Sequence, residues 1–183
     1  MSDDITLDRL DSETAQPLID DLVAVYLDVY ADADRAFFTE DRYRRQLTGH
    51  MTAPRWQAVT ATNDDKIIGY IYGFALPAST RWWNGLLTDV ADGFTTEDGD
   101  RTVAISEILV TAPWRRQGIA RRLHDTFLAG RPEPRATLLV EPDNHTANTA
   151  YADWGWHTVA QLRPSWNNAP LYDVLIRPTH TRG

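Results

Sequence analysis

A strand–helix–strand passage between Thr102 and Pro142 constrains the fold of this chain more than any other part of the sequence. The segment TVAISEILV has the length and β-rich content of a strand, RRQGIARRLHDTFLAG carries Ile119, Leu123 and Phe127 at a helical spacing of four, and RATLLVEP is a second apolar strand. Two strands connected through a helix are the unit from which α/β sheets are built. The passage therefore predicts a sheet covered by helices.

The rest of the chain supplies the other elements of this sheet. Asn63, Asp64 and Asp65 form a turn signal between two β-rich runs and predict a hairpin. Hairpins together with one strand–helix–strand passage predict a mixed sheet with helices on both faces. The predicted elements are strands over 4–10, 56–61, 67–76, 102–110, 135–142, 156–162 and 169–176, helices over 12–30, 39–51, 115–130 and 145–155, and a long irregular insert over 80–101.

The size of the chain predicts a single domain over residues 1–183, because it has no repeat, low-complexity tract or linker. Hydrophobic residues make up 43% of the chain, which is enough for a core. No apolar run reaches the roughly 18 residues of a membrane helix, and the acidic start MSDDITLDRLDSE is unlike a signal peptide. We therefore expect a cytoplasmic protein with no membrane partner.

The charge distribution argues against a nucleic-acid partner. The formal net charge is −8, so the long-range field repels nucleic acid and anionic membranes. Residues 115–122 nevertheless hold four arginines and no acid. In an anionic protein such a cluster suits a small phosphorylated ligand better than a nucleic-acid backbone, with a solvated basic helix start as the alternative.

The glycine inside this cluster makes the phosphate interpretation more specific. Gly118 lies in the first turn of the predicted helix, where free backbone amides and the positive end of the helix dipole face outward. A missing side chain there lets a ligand approach the backbone, which favours an anion site. The segment contains neither the GxxxxGK[ST] motif of a P-loop nor the GxGxxG motif of dinucleotide folds. It therefore predicts a phosphate site of another kind.

Two segments resemble the signatures of one known superfamily. Arg115–Ala120 has the pattern RxxGxA directly after a strand and resembles the acetyl-CoA pyrophosphate signature of the GNAT superfamily of N-acetyltransferases. Asn144–Trp156 resembles the second signature, an Asn, a helix with an Ala and a Tyr, and a Gly followed by an aromatic residue. The resemblance implies a GNAT-like α/β fold, with a mixed, mostly antiparallel central sheet of about six or seven strands and helices on both faces. It also implies acetyl-CoA as the acyl-donor co-substrate and no metal.

The resemblance further implies which residues hold the co-substrate. The backbone amides of the turn would hold the pyrophosphate, and the end of the preceding strand would pair with the pantetheine arm. Arg116, Arg121 and Arg122 are candidates to add charge beside the 3′-phosphate, with solvated surface as the alternative. Asn144 is expected to cap its helix, with contact to the co-substrate as a secondary role. The implied cofactor-binding residues are Leu109, Val110, Arg115, Arg116, Gln117, Gly118, Ile119, Ala120, Arg121 and Asn144.

Tyr151 and Glu107 are the candidate catalytic residues. The resemblance places Tyr151 near the sulfur of the co-substrate, where a phenol with a pKa near 10 stays protonated and can protonate the leaving thiolate; packing in the core is the alternative. Glu107 interrupts an apolar row of its strand, so partial burial would raise its pKa and let it accept a proton from the attacking amine. An edge carboxylate paired with an arginine is the alternative, and Glu141 and Asp173 are further candidates for the base.

Aromatic side chains are the candidates for binding the acceptor. Aromatic faces beside acids can enclose a cationic or planar amine, although each ring can equally be a core or loop anchor. The five histidines show no spacing typical of a metal site. The candidate substrate-binding residues are Tyr30, Phe38, Trp82 and Trp83, with Tyr26, Phe37 and Trp166 as neighbours.

These observations lead to one predicted function and two alternatives. The prediction is acetyl-CoA-dependent transfer of an acetyl group to a primary amine of a small molecule by direct sequential attack, since the chain has no cysteine to carry the acyl group. The insert over 80–101 suggests a lid and thus favours a small acceptor. The alternatives are acetylation of a protein or peptide amine, and a CoA-sensing or interaction domain without catalysis. The oligomeric state is left open, with a homodimer as one alternative.

Overall fold

The computed structural model describes residues 4–33 and 36–180. The elements are β1 (Thr6–Asp11), α1 (Ser12–Ala15), α2 (Ile19–Val29), α3 (Glu40–His50), β2 (Gln57–Asn63), β3 (Lys66–Ala75), β4 (Thr102–Val110), α4 (Ile119–Ala129), β5 (Arg135–Val140), α5 (His145–Asp153), β6 (His157–Leu162) and β7 (Tyr172–Pro178). The seven strands form one mixed sheet in the order β1-β2-β3-β4-β5-β7-β6. The predicted α/β fold is confirmed.

The chain divides into two compact units. The first unit consists of the chain up to Phe74 together with Ile105–Gly130, and the second consists of Ala75–Ala104 together with the chain from Arg131 onward. The turn and the candidate base Glu107 belong to the first unit, whereas Tyr151 belongs to the second. The single domain expected over residues 1–183 stays a prediction.

Two kinds of feature are not found in the described ranges. No helix within residues 4–33 and 36–180 is long and apolar enough to cross a membrane. The same residues contain no group of three or more His, Asp or Glu side chains that could hold a metal ion.

The hairpin of β2 and β3 forms where the sequence predicts it. Asn63 pairs with Lys66, so the loop contains only Asp64 and Asp65. Both aspartates have positive φ, 46° and 61°, which is the backbone of the hairpin turns that match the twist of paired strands. Aspartate tolerates this left-handed conformation better than most residues. The turn residues therefore set the pairing next to the loop, and the register shifts between Ala61 and Thr62.

The prediction of one continuous helix over 12–30 is wrong. Asp11 caps α1 by accepting a hydrogen bond from Thr14 N at 2.8 Å, and a 3-10 turn over Gln16–Leu18 separates α1 from α2. Pro17 lies in this turn and has no N–H to donate to a helical hydrogen bond, and Leu18 departs from helical backbone with φ −103° and ψ 4°.

In the first unit, helices bury their apolar faces against strands. Helix α4 packs against β2, and the Tyr70 hydroxyl of β3 donates a hydrogen bond to Leu22 O of α2 at 3.0 Å. Each fully buried large apolar side chain stabilises the fold by about 1.5–3 kcal/mol. The largest fully buried side chains of this unit are Leu22, Tyr43, Leu47, Tyr70, Ile71, Tyr72, Ile119, Leu123, His124 and Phe127.

In the second unit, hydrogen bonds of Glu97 connect the insert to Thr102 of β4 and Arg135 of β5. Its Oε1 atom accepts hydrogen bonds from Trp83 Nε1 at 3.1 Å, Thr102 Oγ1 at 3.0 Å and Arg135 Nη2 at 2.6 Å. Glu97 is buried, and these bonds offset the desolvation of its carboxylate. Trp83, a candidate substrate-binding residue, is itself only 6% exposed. Its indole therefore packs inside the second unit.

The insert also runs beside β6. Leu86 forms a β-bridge with Leu162, and Leu87 N donates a hydrogen bond to Gln161 O at 2.9 Å. These contacts satisfy backbone groups that an edge strand otherwise presents to solvent. The role of the insert as a lid over an acceptor stays a prediction.

Candidate functional site

The turn after β4 has an unusual backbone. Arg115 is extended, with φ −69° and ψ 158°, whereas Arg116 and Gly118 have positive φ of 60° and 77°. Left-handed residues cannot continue an α-helix. Helix α4 therefore begins at Ile119, and the predicted start at residue 115 is wrong by four residues.

The start of α4 presents free amides. Arg122 N makes the first helical hydrogen bond, to Gly118 O at 3.0 Å, so the amides of Ile119 and Ala120, at the start of the helix, have no helical acceptor. Gly118 occupies the capping position and contributes no side-chain bond. A Cβ built on Gly118 meets no atom within 4 Å. The space in front of these amides is open, and successive outward N–H groups in such a turn suit a phosphate oxygen.

The four arginines of the cluster have different surroundings. Arg115 Nε donates to Val110 O at 3.0 Å, Arg121 pairs with Asp125 at 2.7 Å, and Arg122 Nη2 donates to the carbonyl of Ile5 at 3.1 Å. Arg116 is exposed, and its guanidinium forms no hydrogen bond or ion pair with any residue that the structure describes. Arg116 is therefore the arginine of this cluster whose guanidinium N–H groups are available to a ligand.

The end of β4 is held close to β3. A Cβ on Gly69 would lie 2.6 Å from Leu109 O and 3.2 Å from Val110 Cα, so only a glycine allows this approach of the two backbones. Thr111 continues the contact, since both its N and its Oγ1 donate to Ile68 O, at 2.9 and 3.0 Å. The backbone of Leu109 and Val110, for which the family resemblance implies contact with the pantetheine arm, thus lies directly against β3.

Glu107 lies on β4, three residues before the end of the strand, and is only partly exposed. Burial raises the pKa of Glu107 to about 8, against the lowering effects of a hydrogen bond from the Gln46 side chain and of the charge of Arg42. A carboxyl with this pKa exchanges its proton near neutral pH. It is therefore suited to accept a proton from an ammonium group.

Two polar residues beside Glu107 share a histidine of α3. His50 Nδ1 lies 3.0 Å from the Tyr72 hydroxyl and 3.4 Å from Ser106 Oγ. Burial lowers the pKa of His50 to about 4, so the ring is neutral at pH 7. Sequence reasoning missed this cluster, although Gln46 and His50 are four residues apart, the spacing of one helix face.

Buried tyrosines form a second polar group in the first unit. The hydroxyls of Tyr43 and Tyr70 are 2.5 Å apart. Because the Tyr70 hydroxyl donates to Leu22 O, Tyr43 donates to Tyr70. Burial raises the pKa of both phenols, which stay protonated at neutral pH.

The second signature segment forms α5 in the second unit. Asn144 Oδ1 accepts a hydrogen bond from Ala147 N at 3.2 Å, which confirms the predicted cap. Tyr151 is 9% exposed, and its ring makes edge contacts with Trp154 and Trp156 at centroid distances of 5.8 and 6.2 Å. The phenol thus belongs to an aromatic cluster, and its role as an acid stays a prediction.

The two alternative candidates for the general base are Glu141 and Asp173. Glu141 is exposed, and its pKa is raised by burial of its carboxyl and by the neighbouring Asp143. Asp173 accepts a hydrogen bond from Gln161 Nε2 at 3.1 Å across the β6–β7 pair.

The aromatic acceptor candidates are in both units. In the first unit, Tyr30 and Phe38 are stacked with centroids 4.4 Å apart, and both are partly exposed. In the second unit, Trp82 is partly buried, and Trp166 is 47% exposed. Trp83 is buried against Glu97, and Tyr26 of the first unit is also buried, with 3% exposed.

Comparison with protein families gives one match that covers most of the chain. The model of the Acetyltransferase (GNAT) family matches residues 20–156. This range includes β4, the turn and α5. No curated protein sequence matches the chain.

Solved structures with a similar fold include several acetyltransferases. PH1933 from Pyrococcus horikoshii OT3 has a TM-score of 0.68 and 18% identity, with 97% of this chain and 100% of that chain covered. The ribosomal-protein-S18-alanine N-acetyltransferase from Escherichia coli has a TM-score of 0.66 and 13% identity over 98% and 96% of the chains. An aminoglycoside 6′-acetyltransferase type Ii has a TM-score of 0.66 and 15% identity over 97% and 99%.

Proposed function

This chain belongs to the acetyltransferase (GNAT) family, and from that premise we propose that it moves an acetyl group from acetyl-CoA to a primary amine of a small molecule in one direct step. The observation that carries the proposal is Glu107, a partly buried carboxyl with a pKa of about 8 on the strand that leads into the open turn. It supplies a proton acceptor that works near neutral pH.

The residues of the first unit fit a nucleotide co-substrate. Acetyl-CoA supplies the acetyl group already activated as a thioester. The free amides at the start of α4 and the open space at Gly118 suit the pyrophosphate. Arg116 would add a charge-assisted contact to the 3′-phosphate, and the backbone of Leu109 and Val110 would hold the pantetheine arm. The full proposed set is Leu109, Val110, Arg115, Arg116, Gln117, Gly118, Ile119, Ala120, Arg121 and Asn144.

Two side chains divide the proton transfers. Glu107 takes a proton from the ammonium group and so frees the electron pair of the amine nitrogen. As the new nitrogen–carbon bond forms and the carbon–sulfur bond breaks, the Tyr151 phenol donates its proton to the sulfur. The second proton lost by the nitrogen replaces the proton that Tyr151 gives. The step needs no acyl-enzyme, in line with a chain that has no cysteine.

The partly exposed Tyr30–Phe38 pair supports a small acceptor, because it offers a limited aromatic surface for an amine with an apolar body. Proteins of this fold act on both kinds of acceptor, since one similar structure is named an aminoglycoside acetyltransferase and another a ribosomal-protein acetyltransferase. The acceptor class is therefore decided by experiment.

The proposal is tested by incubating the protein with acetyl-CoA and a panel of small amines and measuring thiol release and product mass. We expect acetylated amine and intersecting double-reciprocal plots, the pattern of a sequential mechanism. Labelled acetyl-CoA without acceptor should leave no acetyl group on the protein. Acetyl-enzyme formed in a burst, or acetylation of peptides alone, would contradict the proposal.

Tyr151→Phe is expected to lower kcat by about 100-fold, a typical loss for a general acid. The change removes only the hydroxyl, so the ring contacts with Trp154 and Trp156 are kept and the affinity for acetyl-CoA should change little. Steady-state kinetics and calorimetry measure the two quantities separately. An unchanged kcat would assign Tyr151 to packing alone.

Arg116→Gln is expected to weaken acetyl-CoA binding by about tenfold, the equivalent of roughly 1.4 kcal/mol. The affinity for acetyl-dephospho-CoA, which lacks the 3′-phosphate, should stay the same. Arg122→Gln is the matched control, because Arg122 bonds to the Ile5 carbonyl instead. Equal losses with both ligands would assign Arg116 to another part of the co-substrate.

A further inference from the structure

His50 of α3 is held against two strands of the first unit. Its Nδ1 atom lies 3.0 Å from the Tyr72 hydroxyl of β3 and 3.4 Å from Ser106 Oγ of β4. Its ring also contacts the rings of Phe74 and Tyr72, at centroid distances of 4.7 and 5.9 Å. These neighbours define where the imidazole lies, and they place Nδ1 on the side of the strands.

The hydroxyl proton of Tyr72 decides the tautomer of this ring. Tyr72 is fully buried, so its O–H group needs an acceptor inside the protein. Burial raises the pKa of the Tyr72 phenol, whereas the side chains of Ser106 and Gln46 lower it, as groups do that donate towards a phenol oxygen. Tyr72 therefore donates its proton to His50 Nδ1, which must be the unprotonated nitrogen of the ring.

The proton of the neutral ring is then on Nε2. Burial lowers the pKa of His50 to about 4, so the ring carries a single proton at neutral pH. Within residues 4–33 and 36–180, Nε2 has no hydrogen-bond partner, and it is not among the unpartnered atoms that are closed off from solvent. His50 is partly exposed. Its Nε2–H group is therefore a hydrogen-bond donor that a ligand can reach.

This donor lies in the same part of the first unit as the proposed base. Ser106, which contacts Nδ1, directly precedes Glu107 on β4, and consecutive Cα atoms are about 3.8 Å apart. Besides burial, the charge of Glu107 raises the pKa of the Tyr72 phenol, as expected for a carboxyl close to that ring. An acceptor whose amine reaches Glu107 thus comes near His50.

The charge of the ring selects the kind of ligand atom. A neutral N–H donor suits a neutral oxygen, such as that of a hydroxyl or a carbonyl group. A carboxylate at the same nitrogen would favour the charged form of the ring. The ring lies against the aromatic side chains of Tyr72 and Phe74, where an added charge is poorly solvated.

We propose that the Nε2–H group of His50 binds a neutral oxygen of the acceptor, a hydroxyl or a carbonyl near its amine, and that Tyr72 is the positioning residue that keeps the proton on Nε2. This inference rests on the proposed function and names a part of the acceptor. An amine without this oxygen takes water away from Nε2–H and gives no partner in return, which a site built around the donor disfavours.

The test compares kcat/KM within matched pairs of amines, phenylethanolamine with phenylethylamine and leucine amide with isoamylamine. We expect the wild-type protein to prefer the oxygen-bearing amine of the responsive pair by about fivefold, the effect of one neutral hydrogen bond. The pair that responds distinguishes a hydroxyl from a carbonyl. Leucine, whose oxygens form a carboxylate, should react no faster than leucine amide.

Two substitutions of His50 separate the roles of its nitrogens. In His50→Asn the amide lies at the place of Nδ1, where it accepts from Tyr72 but offers no donor at the place of Nε2. The preference should therefore fall towards one. In His50→Gln the amide reaches the place of Nε2, and the preference should be kept. His157→Asn changes an exposed histidine of β6 and is the matched control, which should keep the wild-type preference.

The tautomer is measured without a substrate. NMR of the ring nitrogens in isotope-labelled protein at neutral pH should show His50 with its proton on Nε2 alone. Tyr72→Phe removes the donor to Nδ1, so both neutral tautomers should then be observed. The signals of His50 are identified by their loss in His50→Gln.

Each outcome separates this inference from the function on which it rests. Equal kcat/KM within both pairs, a preference that survives His50→Asn, or a faster reaction with leucine than with its amide overturns the oxygen contact and leaves the acetyltransferase proposal intact. A proton on Nδ1 in the wild-type protein also overturns the inference. Thiol release with none of the amines overturns the proposed function and this inference with it.

Discussion

Gly118→Glu is expected to abolish acetyl-CoA binding, with a loss of at least about 100-fold, the equivalent of roughly 2.7 kcal/mol. The change has two physical effects, of which the second acts on binding. A side chain at φ 77° costs about 1–2 kcal/mol of fold stability because the left-handed conformation crowds its Cβ. The new carboxylate would also stand in the open space before the free amides of α4, where it repels the pyrophosphate and takes its donors. Calorimetric titration with acetyl-CoA measures the loss.

Gly93→Glu provides the matched control for this change. Gly93 also has positive φ, 78°, and a Cβ there also meets no atom within 4 Å. It lies in the insert of the second unit, away from the turn in sequence. The control should lose stability to a similar degree and keep its affinity for acetyl-CoA. Near-normal affinity in Gly118→Glu would show that the turn does not hold the co-substrate.

Glu107→Gln is expected to lower kcat by about 10²- to 10⁴-fold, the range for loss of a general base. Glutamine has the shape of glutamate and can still bond to Gln46, but it cannot take a proton. In the wild-type protein, kcat/KM should rise with pH through about 8, the pKa of Glu107, because the carboxylate is the active form. This rise should be absent in the variant. Glu141→Gln is the control and should keep both the rate and the pH profile.

The same carboxyl should affect stability with a predictable sign. Because its pKa is raised in the folded state, the folded protein keeps a proton that the unfolded chain loses between about pH 4.5 and pH 8. The stability contributed by Glu107 therefore falls as the pH rises through that window. Thermal unfolding at about pH 9 should show Glu107→Gln more stable than the wild-type protein, with a smaller difference at about pH 4. An equal difference at both values would mean that Glu107 has an ordinary pKa.

Elements with a local chemical signal are the part of the fold that could be predicted. Thr39 caps α3 by accepting a bond from Arg42 N at 3.3 Å, and Asp64 and Asp65 make the hairpin turn. The boundaries failed where a single residue interrupts a helical pattern, as Pro17 does in the first helix and Gly118 does before α4. In both places the apolar spacing begins only after the interrupting residue, at Leu18 and at Ile119, so it did not support the residues predicted as helix before the break.

The candidate site could be predicted only in part, for a different physical reason. The turn and the cap at Asn144 depend on residues close in sequence, and both are visible in the printed chain. The surroundings of Glu107 depend on contacts between distant segments, since His50 is bonded to Ser106, 56 positions later. Packing of α3 against β3 and β4 creates these contacts, and no single segment contains the information. For the same reason Trp83 could not be distinguished from an exposed indole before its bond to Glu97 was known.

The bridge between Leu86 and Leu162 has a consequence for how molecules of this protein can associate. A segment of the chain itself occupies part of the position that a strand from another molecule would take beside β6. A strand of another molecule is therefore hindered from pairing with β6, and β1 is the other edge strand of the sheet. There, Asp8, Arg9 and Asp11 are exposed, and charged side chains along a border strand discourage pairing between molecules. Association by edge-to-edge pairing of strands is thus opposed at both edges of the sheet, by the segment beside β6 at one and by charged side chains on β1 at the other.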